Sequence, residues 1–190
     1  DIVDDNGNSV RGKNGYLVIK SPWPAMTRGL LNDNDRYIKT YWSKFENIWF
    51  HGDYVFADED NLWYMQGRSD DVINVSGHRM STAEIEHAVI SHKKISDAAS
   101  ISIPDELTGE AIVVFFVSND KNDIDLESEI IEHISKKIGK IAKPKQIFQL
   151  SDLPKTRTGK IMRRLLKAKL MGTELGDLSS LENPDVLDEI

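Results

Sequence analysis

The longest uninterrupted apolar run in the sequence is Ala111 to Val117, and it constrains the fold more than any other segment. Its β-branched and aromatic residues suit a central strand, and it falls far short of the roughly 18 to 20 residues that cross a bilayer as a helix. A chain built around such a strand must cover it. The neighbouring segments supply the means: Ala98 to Ile103 reads as a second central strand, Ile147 to Leu150 as another, and Val72 to Val75 as a short one. Between them lie helices. Ser81-Thr82-Ala83-Glu84 has the spacing of a capping box and opens a helix to about His92. Leu126, Ile130, Ile131, Ile134 and Ile138 fall on one helical face, closed by Gly139. A polar loop from Pro154 to Gly159 leads into a basic helix from Lys160 to Met171, and the acidic end after Gly172 is expected to be loosely ordered.

The first third is different in kind. Asp4-Asp5-Asn6-Gly7-Asn8 is a turn cluster between Ile2-Val3 and the strand-like Gly15 to Ile19, which predicts a hairpin. Tyr37, Tyr41, Trp42 and Phe45 recur at helical spacing from Asp35 to Phe45, behind capping candidates at Asn32 to Asp35. A second hairpin joins Tyr54-Val55-Phe56 to Leu62 to Met65 through Asp58-Glu59-Asp60-Asn61. The boundary between the halves falls near Arg68 to Asp71. The expected class is α+β: a small β-rich part over 1–69, then a domain over 70–190 with a roughly three-stranded main sheet flanked by helices.

With 190 residues and 39% apolar content the chain can bury one ordinary core or two small ones. It has no cysteine, which excludes disulfides, thiolate-held zinc, iron–sulfur clusters and a thiol nucleophile. No secretory signature is visible, so a cytoplasmic location with no membrane partner is expected. Asp1 stands in what reads as the approach to a strand, so the chain is expected to be a piece of a longer product. The net charge of -7 is unevenly spread. Lys136 to Lys169 holds 12 basic residues and one acid, giving +11 against -18 elsewhere. That points to a polyanion: nucleic acid, nucleotide phosphates or coenzyme A. A solvated basic helix accounts for the same pattern.

Common catalytic signatures are missing. There is no Gly-x-Ser-x-Gly, no His-Glu-x-x-His and no Walker loop, since Gly159-Lys160 is followed by Ile161. Three segments carry more. In Phe50-His51-Gly52-Asp53-Tyr54 an acceptor-only carboxylate beside a glycine suits the two hydroxyls of a ribose, although Asp53 alone also reads as a turn carboxylate. Gly67 to Arg79 places Arg68 and Arg79 around Asn74-Val75-Ser76-Gly77, with glycine where a ligand or backbone can approach. Leu153-Pro154-Lys155-Thr156-Arg157-Thr158-Gly159-Lys160-Ile161-Met162-Arg163-Arg164 presents Lys160 as a point charge for phosphate.

In this order and spacing the three segments resemble the late core motifs of the adenylate-forming enzymes, and their extended forms are similar to those of the AMP-forming acetyl-CoA synthetases. The resemblance covers nearly the whole chain. It implies the end of a large adenylation domain followed by a mobile C-terminal domain, and a two-step ligase that uses acetate, ATP, coenzyme A and Mg2+. By motif position Asp53 would bind the ribose hydroxyls, Arg68 the ribose or phosphate, and Arg79 the nucleotide phosphates. Asp70 would be the hinge. Ser76 and Gly77 would line the coenzyme A channel, with Gly77 kept for ligand approach rather than for a turn. Lys160 would bridge carboxylate and α-phosphate, and would be the target of a lysine acetyltransferase and deacetylase. A structural magnesium would sit at Ile90, His92 and Ile95.

The resemblance breaks at Ser135, where similar enzymes carry an arginine for the coenzyme A phosphate; Lys136 and Lys137 are its neighbours. The family's phosphate loop and acyl pocket would lie upstream, in a missing N-terminal part of the same polypeptide, so the isolated chain is expected to be inactive. A ligase for propionate or another short acid fits equally. A nucleic-acid or anion-binding module built on residues 136–169 is disfavoured by its single aromatic, Phe148. A purely structural interaction domain leaves the spacing of Asp53, Arg68, Arg79 and Lys160 without a reason.

Overall fold

A computed structural model describes residues 1–119 and 124–190. The chain divides into two units, Asp1–Asp70 and Asp71–Ile190.

The first unit is a four-stranded antiparallel sheet in the order β1 (Ile2–Val3), β2 (Asn14–Ile19), β3 (Trp49–Ala57) and β4 (Trp63–Arg68). Both expected hairpins form. The helix α1 (Asn34–Tyr41) is shorter than its aromatic spacing suggests. Asp33 caps its first turn by accepting from the Arg36 amide, and the Ser43 hydroxyl takes the Lys39 carbonyl at its other end. Trp42 and Phe45 nevertheless join the aromatic cluster: Trp49 meets Tyr37, Tyr41 and Trp42, and Tyr16 meets Phe45, Phe50 and Tyr54. Edge-to-face and tilted rings of this kind add to the stabilisation from buried area.

The second unit is built on β8 (Gly109–Ser118), which contains the apolar run. It pairs along its length with antiparallel β7 (Ile95–Asp105) on one side. On the other it meets the parallel strand β9 (Gln146–Leu150) and, at Gly109, the short hairpin β5 (Ile73–Val75) and β6 (His78–Met80). These are the three main strands of the sequence reading with a small hairpin added. Ile112, Val114 and Phe116 face one side of the sheet and Val113 and Phe115 the other, and all are buried. Because strand side chains alternate, an unbroken apolar run needs cover on both faces. On the first face it receives α2 (Thr82–Ile90) and α3 (Leu126–Lys137), and on the second α4 (Arg163–Leu170) and the C-terminal segment.

Two sequence expectations are corrected here. The basic helix begins at Arg163 and not at Lys160, because Ile161 bridges Lys155 in extended conformation and the Lys160 carbonyl accepts from the Thr156 amide. The acidic end is also ordered: Pro184–Glu189 forms a 3-10 turn with Val186 and Leu187 buried against the second face.

The expected capping box is present, with the Glu84 amide donating to Ser81 Oγ at 3.1 Å. Two residues on, Glu86 is buried at the edge of β7, where it accepts from the Ser100 amide at 2.8 Å. Arg163 completes its shell with a two-pronged contact, Nε to Oε1 at 2.9 Å and Nη2 to Oε2 at 2.7 Å. One carboxylate thereby closes a sheet edge and ties α2 to α4. Glu86→Ala would leave both the guanidinium and the strand amide without their partner. The expected cost is about 3 kcal/mol, read as a lower urea midpoint; a loss below about 0.5 kcal/mol, typical of an exposed pair, would contradict this account of the edge.

Candidate functional site

In the first unit the antiparallel register sets Asp53 opposite Arg68. Their side chains meet at 3.4 Å, and Arg68 Nε also donates to Asp70 Oδ1 at 3.1 Å. The ladder slips between Tyr54 and Val55, where Gly67 takes a positive φ of 106°. Gly52 is the approach glycine of this site. Its φ is +93°, and a Cβ there would lie 2.6 Å from Arg68 Nη1. Tyr41, His51, Gly52, Arg68, Ser69 and Asp70 line a pocket of about 220 Å³. His51 Nδ1 lies 2.6 Å from Asp53 Oδ2. Motif reading named Asp53, Arg68 and Asp70 but passed over His51, although residues two apart on a strand share a face. The arrangement is a carboxylate held between an imidazole and a guanidinium, with its remaining acceptor capacity available to hydroxyl groups.

In the second unit, Ser76 and Gly77 form the two-residue turn of the β5–β6 hairpin, between Val75 and His78. Both have positive φ, 50° and 84°, the signature of a type I′ turn. The reading of Gly77 as an approach glycine and not a turn glycine is therefore corrected: the hairpin requires it. The space beside its missing Cβ is nevertheless open. The Ser76 amide donates to the Thr108 carbonyl at 2.9 Å, and Arg79, exposed on β6, pairs in register with Asn74.

Lys160 stands on a tight loop. The Thr156 amide donates to the Lys160 carbonyl at 2.9 Å, the Lys160 amide to Thr156 Oγ1 at 3.1 Å, and the Gly159 amide to the Thr156 carbonyl at 2.8 Å. Lys155 Nζ is held between Asp97 and Asp152 at 2.8 and 2.9 Å, which raises its pKa, Asp97 contributing most. Burial pulls the Asp152 carboxyl upward, but Lys155 and the Leu153 amide outweigh it and hold it below the usual range. Arg157 faces Glu182 at 3.8 Å and Arg163 binds Glu86. Burial alone would lower the Arg163 pKa; Glu86 reverses the sign. Lys160 itself is exposed, and among the described residues no carboxylate pairs with its ammonium.

Elsewhere in the +11 segment, Lys136 pairs with Glu132, Lys145 with Asp105 and Lys169 with Asp188. Much of that cationic density is thus neutralised by carboxylates of the same unit. The Ser135 hydroxyl turns inward to the Ile131 carbonyl at 2.9 Å.

The expected magnesium positions lie around the turn after α2. Ile90 and Ile95 can offer main-chain carbonyls only. His92 carries a buried Nδ1 with no hydrogen-bond partner among the described residues, its Nε2 being 3.6 Å from Glu129. Carbonyl oxygens suit a hard cation such as Mg2+, whereas an imidazole nitrogen suits softer transition metals. Among the described residues no group of three or more His, Asp or Glu could hold a metal through side chains.

Residues 84–160 match the family described as the AMP-binding enzyme C-terminal domain. The acetyl-coenzyme A synthetases of Pyrobaculum arsenaticum and Methanothrix thermoacetophila are 47% and 43% identical to the whole of this chain. The chain spans 29% and 30% of their lengths, under a third of each. Among solved structures, acetoacetyl-CoA synthetase from Streptomyces lividans is similar over 98% of this chain and 29% of its own, with a TM-score of 0.85 and 27% identity. The anthranilate CoA ligase AuaEII, solved in complex with anthranoyl-AMP, is similar over 88% of this chain and 32% of its own, with a TM-score of 0.75 and 28% identity.

The turn geometry at Gly77 yields a direct test. Gly77→Leu forces a branched side chain into the left-handed region and should cost about 1–2 kcal/mol. Gly77→Asn, which tolerates that region, should stay close to the parent in denaturation midpoint. Equal midpoints for both variants would contradict the type I′ assignment.

Proposed function

On the premise that this chain belongs to the adenylate-forming enzymes, with residues 84–160 its AMP-binding enzyme C-terminal domain, we propose that it is the C-terminal part of an AMP-forming acetate–CoA ligase. The upstream part of that polypeptide would supply the acyl pocket and the remaining ATP contacts, and the isolated chain would be inactive. In the first half-reaction an acetate oxygen attacks the α-phosphorus of ATP, the bond to pyrophosphate breaks, and acetyl-adenylate forms. In the second, the coenzyme A sulfur attacks the acetyl carbonyl, the thiol gives up its proton, and AMP leaves.

The observation that carries this reading is the state of Lys160: an exposed ammonium on a tightly bonded turn whose neighbouring cations, Lys155, Arg157 and Arg163, all have carboxylate partners. A charge kept clear of local anions is available to one that develops elsewhere. In the first half-reaction Lys160 would lie against the acetate and α-phosphate oxygens and offset the charge that gathers there, an effect typically worth about 3 to 4 kcal/mol for a single donor to an oxyanion. Asp53, oriented by His51 and Arg68, would accept from the ribose hydroxyls, and Arg68 and Arg79 would meet ribose and phosphate. Ser76 and Gly77 would border the path of the coenzyme A thiol, where the absent side chain leaves open space. Mg2+, held by main-chain oxygens at Ile90, His92 and Ile95, would brace the turn between α2 and β7.

Such a lysine is also open to control. Acetylation by a lysine acetyltransferase would remove the charge and a deacetylase would restore it. The cytoplasm is the compartment this reading assigns.

Asp70, the last residue of the first unit, would be the pivot between the two half-reactions. Asp70→Pro, which fixes φ near −65°, should therefore eliminate one half-reaction in the full-length protein; an overall rate near the parent's would remove Asp70 from that role. Lys160→Ala should abolish acetate-dependent pyrophosphate exchange and spare thioester formation from supplied acetyl-adenylate. Undiminished exchange would overturn the assignment of Lys160.

A further inference from the structure

The loop that bears Lys160 is closed on its inner side by its own backbone. Lys155 and Ile161 form a bridge, and the Met162 amide donates to the Pro154 carbonyl at 2.8 Å. Its outer side is closed by residues more than twenty positions further along. Thr156 bridges Leu181, and the Glu182 amide donates to the Lys155 carbonyl at 2.9 Å. Residues 181–183 thus lie along the loop stem, joined to it by one bridge and one amide hydrogen bond.

The side chain that locks this segment is Asn183. Its Oδ1 accepts from the Lys155 amide at 3.0 Å, and its Nδ2 donates to the Leu153 carbonyl at 2.8 Å and to Asp152 Oδ2 at 3.1 Å. All three contacts fall on the segment 152–155 that enters the loop. Asp152 in turn holds Lys155, which also reaches Asp97 on β7. The C-terminal segment is itself anchored at separate points. Val186 and Leu187 are buried, Glu189 accepts from the Ser151 amide and hydroxyl, and Arg164 on α4 donates to the carbonyls of Leu175 and Asp177.

From this geometry we propose that Asn183 is a positioning residue for Lys160: the C-terminal segment fixes the loop stem through it, and so sets where the ammonium stands. The inference rests on the role given to Lys160 above. It places a determinant of the first half-reaction in a segment that carries no reacting group. Correct placement matters steeply, since a displacement of about 1 Å can cost about a hundredfold in rate.

The test uses the full-length protein and three variants: Lys160→Ala, Asn183→Ala, and Asn183→Asp combined with Asp152→Asn. Pyrophosphate exchange, thioester formation from supplied acetyl-adenylate, melting temperature and amide hydrogen exchange over residues 153–162 are measured on each. For Asn183→Ala the expected result is a fall of about ten- to a hundredfold in pyrophosphate exchange. Thioester formation should stay within about twofold, and hydrogen exchange should quicken in the loop but not in β7 and β8. The double variant reverses donor and acceptor across the 152–183 contact at constant charge and keeps an acceptor for the Lys155 amide, but it leaves the Leu153 carbonyl without its donor; it should recover protection at the Lys155 amide only. A parallel fall of both half-reactions with the melting temperature would make Asn183 merely structural and overturn the proposal. If Lys160→Ala abolishes exchange and Asn183→Ala leaves it intact, the proposal alone fails. If Lys160→Ala leaves exchange intact, the reading beneath it fails as well.

Discussion

The second unit depends on the carboxylate of Glu86. A strand as apolar as β8 must be covered on both faces, and that cover leaves β7 as a free edge with amides that need acceptors. Glu86 reaches the Ser100 amide on that edge, and its second oxygen faces the guanidinium of Arg163. Arg163 is the first residue of α4, so the pair anchors the start of the helix on the opposite face. The loop carrying Lys160 ends immediately before it. An interaction that closes a sheet edge therefore also bounds the proposed catalytic loop from behind, while the C-terminal segment bounds it from the side.

The first unit solves a different problem. Here the sheet brings polar groups together, and it does so through register. Pairing Asp53 with Arg68 across β3 and β4 sets opposite charges side by side, and Gly52 yields the space that a Cβ would deny to the guanidinium. His51 adds a second neighbour to the same carboxylate. Asp53 is thereby held in one orientation, which would reduce the ordering cost of binding the proposed ribose.

Features that depend on local pattern were legible in the sequence. The apolar run could only be a covered strand, Ser81 and Glu84 marked a helix start, and the five apolar residues from Leu126 to Ile138 marked a helical face. Features created by distant partners were not. Nothing around Val186 and Leu187 distinguishes a buried turn from a frayed acidic tail until the second face of the sheet is present to receive them. The start of α4 differs from the sequence expectation for a similar reason: Lys160 and Ile161 suit a helix well enough, but the bridge to Lys155 claims them first. Gly77 shows the limit of reading a glycine by type, since positive φ and open space coincide there. His51 was legible by spacing, whereas Asn183, more than twenty residues beyond the loop it contacts, was not.

The central proposal is that the full-length protein to which this chain would belong transfers an adenylyl group to acetate and then the acetyl group to coenzyme A. Phosphorus-31 spectroscopy of the products tests it most directly, with the full-length protein given acetate, ATP, Mg2+ and coenzyme A. The account predicts AMP and pyrophosphate in amounts equal to the acetyl-CoA formed. Formation of ADP and orthophosphate, or no acetate-dependent turnover at all, would contradict it.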